Sequence, residues 1–289
     1  AARRTFVSQP SLSSQVKDME LYLGASLFER GRQGALLTPI GEQLVVRARL
    51  ILRDVEALKT LARAAGNTLS GMIRLGVLPS VGPYLLPQAV RQFHADYPEL
   101  RISVREERTL DLHKNLADGR FDIIVSTIED AQDMDIFPIV RENLYICVAP
   151  DDALASQSGT VSIGEIKGRA LLSLGHGHKL SVIVNGLAEI AGASVSTEYE
   201  GTSLDAIRQM ASMGGNIAVL PSLYAISEAK KDPGLIVRRI DHPLAGRQIG
   251  LLWRKSSPLA ESFGEIGRVF KRAAQDIMAE GDKTGRKRP

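Results

Sequence analysis

The sequence has 289 residues, enough for two or three domains, and its composition, 44% hydrophobic and 24% charged, excludes a fibrous or disordered protein. Its single cysteine, Cys147, excludes an internal disulfide, and with no visible signal peptide or membrane-length apolar run we expect a reducing cytoplasmic location. The formal net charge of +3 is uneven, because residues 1–66 carry 10 Lys and Arg against 6 Asp and Glu, and the remainder carries 26 against 27. A basic front suggests contact with a polyanion.

The first predicted element is a helix over residues 8–23, within VSQPSLSSQVKDMELYLG. Ser8 can cap it, Pro10 fits its first turn, and Gly24 can end it. One face carries an apolar stripe at helical spacing, formed by Leu12, Val16, Met19 and Leu23. The first turns also carry polar residues that are not the best helix formers, namely Gln9, Ser11, Ser13, Ser14 and Lys17. These polar positions are therefore candidates for contact with a ligand.

A basic turn and a short strand follow that helix. The sequence RGRQG covers residues 30–34, and ALLT, which ends at Thr38, predicts the strand. A helix followed by a basic β-turn is the outline of a winged helix-turn-helix.

Thr38 and Pro39 begin a long predicted helix that extends to about Ala65. Alternating steps of four and three give this helix a heptad seam of Leu44, Ala48, Ile51, Val55, Leu58 and Ala62. The alternative is a helix that packs only on its own domain, which would need a wider apolar stripe. The narrow seam favours a helix that pairs with a second copy of the chain.

The sequence GNTLSG at 66–71 predicts a hinge, beyond which strands alternate with helices. The predicted strands are MIRLGVLP, RISVREE, DIIVST, LYICVAP, ALLSL, STEYEG, NIAVLPS, LIVRRI and QIGLLWR. The predicted helices cover 83–97, 109–118, 180–192, 203–213, 222–230 and 258–279. This alternation indicates an α/β fold, and we expect residues 280–289 to form a disordered tail.

The order of these parts resembles the LysR-type transcriptional regulators. The sequences that carry the resemblance are VSQPSLSSQVKDMELYLGASLFER and LLTPIGE, followed by the long helix and the α/β region. The resemblance implies a sequence-specific DNA-binding transcriptional regulator whose activity a small-molecule effector controls. In the family the first helix of the DNA-binding domain would precede Ala1, so we expect that domain to be incomplete here.

The same resemblance implies a division into domains. These are a winged helix-turn-helix DNA-binding domain at 1–38, a linker and dimerisation helix at 39–66, and an effector-binding domain at 72–279. The effector domain is expected to have a periplasmic-binding-protein-like fold of two subdomains, the first at 72–143 plus 250–279 and the second at 144–249.

Within that fold the polar first helix becomes a recognition helix in the DNA major groove, because short hydroxyl and amide groups can approach base edges and phosphates. The predicted DNA contacts on this helix are Gln9, Pro10, Ser11, Ser13, Ser14 and Lys17. On the wing, Arg30 and Arg32 are predicted to reach phosphate or the minor groove.

Three strand-to-helix junctions share a pattern of exposed backbone N–H groups at a helix start: LPSVGP, GHGHKL and GTSLD. In the last, Thr202 is the predicted N-cap and Asp205 its capping-box partner. If the family fold holds, all three point into one cleft at the carboxyl ends of strands, suited to a small, polar, anionic effector. The predicted effector residues are Ser80, Thr127, Gly177, His178, Lys179, Thr202 and Ser203.

Several segments, GHGHKL among them, most resemble the OxyR-type peroxide regulators, which have a reactive cysteine directly after a Gly-His pair and a second cysteine later. Here Gly177 and His178 are followed by Lys179, and no cysteine follows. Because the thiolate is the nucleophile of peroxide chemistry, we expect redox sensing to be lost and Lys179 to contact a carboxylate or phosphate of the effector. The alternative is a solvated Lys179 beside a vestigial pocket.

Enzymatic and metal-binding functions find little support. His176 and His178 lack a third ligand at a known spacing, catalytic motifs are absent, and we expect no enzyme activity, metal or cofactor. The expected partners are double-stranded DNA, a small-molecule effector and further copies of the chain, as a homodimer or homotetramer, with no membrane. The competing hypothesis is a small-molecule binding protein or an enzyme on the same fold without a DNA role, which would leave residues 1–66 unexplained.

Overall fold

The computed structural model of the chain describes residues 8–31, 34–63, 71–129, 131, 133–232 and 234–285. The chain divides into two compact units, Ala1–Glu56 and Ala57–Pro289. In the described part no helix combines the length and the apolar character needed to cross a membrane.

The first unit contains one helix, a hairpin and most of a second helix, which continues into the second unit. Helix α1 covers Gln9–Leu23, strands β1 (Phe28–Gly31) and β2 (Gly34–Leu37) pair antiparallel, and helix α2 begins at Pro39 and runs to Arg63. The predicted ends of α1 are confirmed, because Ser8 Oγ accepts from Ser11 N at 3.3 Å and Gly24 adopts a φ of 65°. Thr38 also caps α2 as predicted, since its Oγ1 accepts from Gly41 N at 3.0 Å.

The apolar stripe of α1 is only partly covered. Leu12 and Val16 are half-buried, and Met19 and Leu23 are both 45% exposed. None of the residues of Gln9–Leu23, all of which the structure describes, is buried. The stripe therefore does not form a packed core of the kind that the second unit has.

The second unit is built on one sheet. Its strands are β3 (Gly71–Val77), β4 (Leu100–Glu106), β5 (Ile123–Thr127), β6 (Met134–Val148), β7 (Val161–Ser162), β8 (Ala170–Leu172), β9 (Ser194–Val195), β10 (Asn216–Pro221), β11 (Ile236–Asp241) and β12 (Gly246–Arg254). Its further helices are α3 (Gly82–Asp96), α4 (Thr109–Ala117), α5 (Lys179–Ala191), α6 (Leu204–Ser212), α7 (Ser222–Lys231) and α8 (Ala260–Gly285). Along the sheet the order is β4-β3-β5-β12-β6-β10-β8-β9, and β11 pairs with both β6 and β7.

Two hydrophobic cores divide this unit into two lobes. The first lobe packs around residues such as Leu75, Phe93 and Phe270, and the second around residues such as Val184 and Val219. The long strand β6 passes from one to the other, since Ile139 belongs to the first core and Leu144 to the second. Tyr84 packs against both cores and meets Tyr224 edge to face at 5.6 Å. The α/β architecture with two lobes is thus confirmed.

Two predicted boundaries are wrong. Residues 196–201, where the sequence predicts a strand, do not form one. The strand in this region is the short β9 that precedes them, and Ser196 Oγ accepts from Glu198 N in a local turn. Helix α8 continues to Gly285, so residues 280–285 are helical rather than a disordered tail. A glycine inside a helix costs only about 1 kcal/mol relative to alanine, and Gly281 does not end this one. The rest of the predicted tail and most of the predicted hinge, at 66–70, lie outside the described residues.

Candidate functional site

A buried ion pair lies where the two long strands meet. Glu142 of β6 and Arg247 of β12 are directly opposite in the antiparallel ladder, and Arg247 Nε donates to Glu142 Oε2 at 2.8 Å. Their side chains are 0% and 2% exposed. The other carboxylate oxygen of Glu142 accepts from Leu223 N at 3.0 Å. The pair is therefore balanced in charge and held by hydrogen bonds, which a buried charge requires.

Of the predicted effector residues, Ser80 contacts this ion pair and Thr127 lies on the strand next to that of Arg247. Arg247 Nη2 donates to Ser80 Oγ at 2.9 Å, and Ser80 follows strand β3 and is buried. Thr127 is the last residue of β5 and pairs with Ile249, two residues along β12 from Arg247. Thr127 is fully buried, and its Oγ1 has no hydrogen-bond partner among the described residues. A buried hydroxyl without a partner is uncommon and marks a place where a ligand or water can bind.

His178 brings a second unsatisfied polar atom to this region. It occupies the N-cap position of α5, is buried, and its Nε2 has no partner in the described part of the chain. Burial and the nearby charges of Arg108 and Arg247 lower the pKa of His178 to about 4. The imidazole is therefore neutral at neutral pH, and its ring can donate or accept according to its tautomer. We call Ser80, Thr127, Glu142, His178 and Arg247 the interlobe cluster.

The loop before α5 also joins the two lobes through its backbone. Lys179 N donates to Thr109 Oγ1 at 3.1 Å, and Leu110 N donates to Gly177 O at 3.3 Å. Gly177 has a φ of +86° and passes within 3.4 Å of the Arg108 side chain where a Cβ would lie. The contact distance itself would be ordinary, but the positive φ would strain any residue that carries a Cβ. The predicted residues Gly177 and Lys179 thus lie at the contact between the lobes.

The third predicted junction differs from the expectation. The N-cap of α6 is Ser203 and not Thr202, since Ser203 Oγ accepts from Ala206 N at 3.2 Å. No capping box forms with Asp205, because its carboxylate accepts from Tyr224 Oη at 2.6 Å. Thr202 and Ser203 are exposed on the second lobe, whereas the members of the interlobe cluster are buried.

The sequence patterns did not indicate Glu142 and Arg247 of the interlobe cluster, nor Arg108 at the contact between the lobes. A signal existed, because a charged residue within an apolar strand has to be paired if it is buried. The two residues of the ion pair lie far apart in the chain, so the sequence around either one does not reveal its partner.

The environments of Cys147, His176 and His178 bear on cysteine and metal chemistry. Cys147 lies fully buried in β6, and its burial raises the pKa of the thiol to about 11, so the reactive thiolate is disfavoured. His176 is 94% exposed and 3.9 Å from Glu200 Oε1, whereas His178 is buried, so the two histidines occupy different environments. Across the described ranges no three His, Cys, Asp or Glu side chains are grouped as metal ligands.

The predicted DNA-contact residues of α1 share an exposed position. All of Gln9, Pro10, Ser11, Ser13, Ser14 and Lys17 are exposed. The first turn of α1 contains no acidic residue, so the positive end of the helix is left available to an anion. On the wing, Arg30 pairs with Ala35 across the hairpin. The side chain of Arg30 and the whole of Arg32 lie outside the described residues.

The predicted seam of α2 is largely exposed in the single chain. Ile51, Val55 and Leu58 are 64%, 42% and 63% exposed. Ala48 is also exposed and Leu44 is half-buried, while the side chain of Ala62 lies outside the described part. Exposed apolar side chains in a row on one helix mark a surface for a protein partner.

Comparison with known proteins gives a consistent result. Residues 1–42 match the model of the bacterial regulatory helix-turn-helix protein, lysR family, and residues 66–274 match the LysR substrate binding domain. The DNA-binding transcriptional dual regulator OxyR of Escherichia coli (strain K12) is 34% identical over 94% of this chain and 88% of its own length. The HTH-type transcriptional regulator EstR of Acinetobacter baylyi is 30% identical over 94% and 90%. A full-length OxyR variant from Pseudomonas aeruginosa superimposes with a TM-score of 0.78 at 29% identity, covering 93% of this chain and 88% of that one.

Proposed function

The chain belongs to the LysR family of bacterial DNA-binding transcriptional regulators, and from that premise we propose that α1 is its DNA-recognition helix. The exposed polar side chains on the first turns of α1 support this role, because groups of this size reach base edges in the major groove. Gln9 and Ser11 would read bases, and Arg30 and Arg32 on the wing would contact phosphate or the minor groove. We also infer that the protein regulates transcription in the cytoplasm and does not act as an enzyme, as its similarity to DNA-binding regulators supports.

Substitution of Gln9 and Arg30 tests this division of roles. We expect Gln9→Ala to lose preference for specific over random DNA, since one base contact is worth about 1–3 kcal/mol. Arg30→Ala should weaken both kinds of DNA alike and reduce the salt dependence. The measurement is gel shift on genomic fragments that the protein itself enriches. Identical behaviour of the two variants on specific and random DNA would show that the assignment is wrong.

We further propose that the interlobe cluster binds a small anionic effector. Two atoms carry this proposal, Thr127 Oγ1 and His178 Nε2, which are both buried without partners among the described residues. Thr127 lies on the strand that pairs with the strand of Arg247, and the charge of Arg247 acts on His178. An anionic oxygen would accept a hydrogen bond from the threonine hydroxyl and from the imidazole N–H, with the positive charge of Arg247 nearby. Glu142 is the ion-pair partner of this guanidinium.

The effector would act by changing the contact between the lobes. Because the cluster is buried, a ligand reaches it only when the lobes part, which stretches or breaks the hydrogen bonds from Lys179 N to Thr109 and from Leu110 N to Gly177. A ligand that prefers the open arrangement shifts the population toward it. Lys179, half-buried at this contact, would meet the carboxylate or phosphate of the effector.

A thermal-shift assay with succinate and inorganic phosphate as probes tests the effector proposal. We expect at least one of the two to raise the melting temperature, and Lys179→Ala to reduce that shift. Lys167→Ala, a lysine outside the cluster, serves as the matched control and should leave the shift unchanged. An equal response of the wild-type protein and the Lys179 variant would assign Lys179 to the solvated surface.

Assembly would proceed through α2. Its exposed seam supports pairing of two chains into a dimer, and contacts between effector domains would give a homotetramer that binds inverted-repeat DNA. Ile51→Asp would place a charge in the paired seam and should abolish dimerisation through this helix. An unchanged mass of this variant in sedimentation would refute the pairing.

A further inference from the structure

A second polar site lies wholly within the second lobe. A cavity of about 250 Å³ opens where the parallel strands β8 and β9 end, beside the first turns of α5. Its lining comes from two loops and one helix: Ser173, Leu174, Gly175, His176, Ser181, Asn185, Val195, Ser196, Thr197, Tyr199 and Glu200. Crevices at the carboxyl ends of parallel strands are frequent ligand sites in α/β proteins. We call this the second-lobe cavity.

Uncharged hydrogen-bonding groups dominate the second-lobe cavity. Hydroxyl groups of serine, threonine and tyrosine and one carboxamide line it, whereas no lysine or arginine is among the described lining residues. Its carboxylate, Glu200, has a side chain that is 72% exposed. An anion would meet this carboxylate without a compensating cation, so the chemistry of the cavity differs from that of the interlobe cluster.

One lining residue holds an unused hydrogen-bonding group. Ser173 is only 4% exposed, and its Oγ has no partner among the described residues. Near it the Tyr199 hydroxyl is fixed, since it accepts from Ser203 N at 3.0 Å, and Asn185 is fixed by donation from Nδ2 to Ser181 O at 2.8 Å. The cavity thus presents polar groups in fixed orientations and one buried hydroxyl, that of Ser173, without a hydrogen-bond partner among the described residues.

We propose that the second-lobe cavity binds a small uncharged polyhydroxy compound of about the size of a monosaccharide. The volume is just below the range of pockets for drug-sized ligands, which fits a molecule of roughly a dozen non-hydrogen atoms. Hydroxyl groups of such a ligand would pair with Ser173 and Asn185, and the Glu200 carboxylate would accept from another. None of the residues proposed for the anionic effector lines this cavity.

A ligand in the second-lobe cavity can affect the contact between the lobes, because one loop takes part in both. This regulatory consequence rests on the proposed function. Ser173–His176 line the cavity, and the next residues of the same loop, Gly177 and Lys179, make the backbone hydrogen bonds to the first lobe. A polyol that fixes this loop would therefore alter the affinity of the interlobe cluster for its anion. Coupling of this kind is reciprocal, so the anion would change the affinity for the polyol by the same factor.

The experiment uses the complete chain in isothermal titration with D-glucose, D-ribose and myo-inositol, each in the presence and absence of succinate. We expect at least one polyol to bind, and both Ser173→Ala and Asn185→Leu to weaken it about tenfold, the loss expected for a hydrogen bond. Ser222→Ala is the matched control, because Ser222 Oγ is also buried without a partner in the described region but does not line the cavity. It should leave polyol binding unchanged.

The outcomes separate this inference from the anionic effector. Absence of binding by all three polyols, or affinity unaffected by both cavity variants, overturns it, and so does binding of an amine such as putrescine in place of the polyols. Loss of the succinate response in Thr127→Val with polyol binding intact would confirm the cavity as a separate site. Polyol binding without any response to succinate or to inorganic phosphate would retain the cavity and refute the anionic effector.

Discussion

The interlobe cluster and the second-lobe cavity are both polar, yet they are built in opposite ways. The cluster is buried between two lobes and contains a full ion pair, Arg247 with Glu142, whereas the cavity is open and lined mostly by uncharged groups of one lobe, with one exposed carboxylate and no lysine or arginine among its described lining residues. Each holds a buried polar atom that the described residues leave unsatisfied, Thr127 Oγ1 in one and Ser173 Oγ in the other. The charge around such an atom therefore decides which class of ligand it suits. One loop, at 173–178, together with Lys179 at the start of α5, connects the two sites.

The largest effect should follow from breaking the ion pair that only the cluster contains. Glu142→Ala leaves Arg247 buried without its partner, so we expect the free energy of unfolding to fall by about 3–5 kcal/mol in urea denaturation. The control is Lys231→Ala, which removes a pair in which the lysine is 68% exposed and should cost at most about 1 kcal/mol. Equal losses of stability in the two variants would show that the buried ion pair contributes no more than an exposed one.

The second largest effect should be a pH dependence of stability that arises from the interlobe cluster and not from the second-lobe cavity. The pKa of His178 is lowered from 6.5 to about 4, so the unfolded chain binds more protons between these values and stability falls as the pH falls through this range. The contribution is fully present above about pH 6.5, and about 2 kcal/mol of it should be lost by about pH 5. His178→Gln should remove this part of the slope in urea unfolding measured at both pH values. If the pH dependence of stability persists in this variant, it arises from a group other than His178.

The smallest effect concerns the unsatisfied hydroxyl of the cluster. Thr127→Val keeps the shape of the side chain and removes a buried group without a hydrogen bond, so the free energy of unfolding should rise by about 1 kcal/mol. The same variant should bind succinate more weakly in calorimetry, a gain of stability at the expense of binding. Ser103→Ala, on strand β4 outside both sites, is a control whose succinate affinity should not change. A destabilised Thr127→Val would mean that the hydroxyl has a structural partner.

The sequence predicts the parts of this molecule that local chemistry decides. The ends of α1 and the start of α2 follow from Ser8, Gly24 and Thr38, whose capping geometry depends only on their neighbours in the chain. Where two adjacent hydroxyl residues compete, as Thr202 and Ser203 do at α6, local chemistry is insufficient, and the prediction chose the wrong one.

The interlobe cluster could be predicted only in part. The sequence predicts Ser80, Thr127 and His178 as effector residues because each lies at a strand end or at a helix start. The Glu142–Arg247 pair joins residues 105 positions apart, and its formation depends on the register of two antiparallel strands. The second-lobe cavity was missed because short loops after β8 and β9 form it, where the sequence analysis expected a strand.

We propose that this regulator senses its effector through the interlobe cluster and not through a thiol. The most direct test is fluorescence anisotropy of a genomic DNA fragment enriched by the complete chain, titrated in parallel with succinate and with hydrogen peroxide at constant ionic strength. We predict that succinate changes the affinity for DNA, that Thr127→Val removes this response, and that peroxide has no effect because Cys147 is buried and has no second cysteine. A change of DNA affinity with peroxide in the purified protein, and none with succinate, would contradict the account.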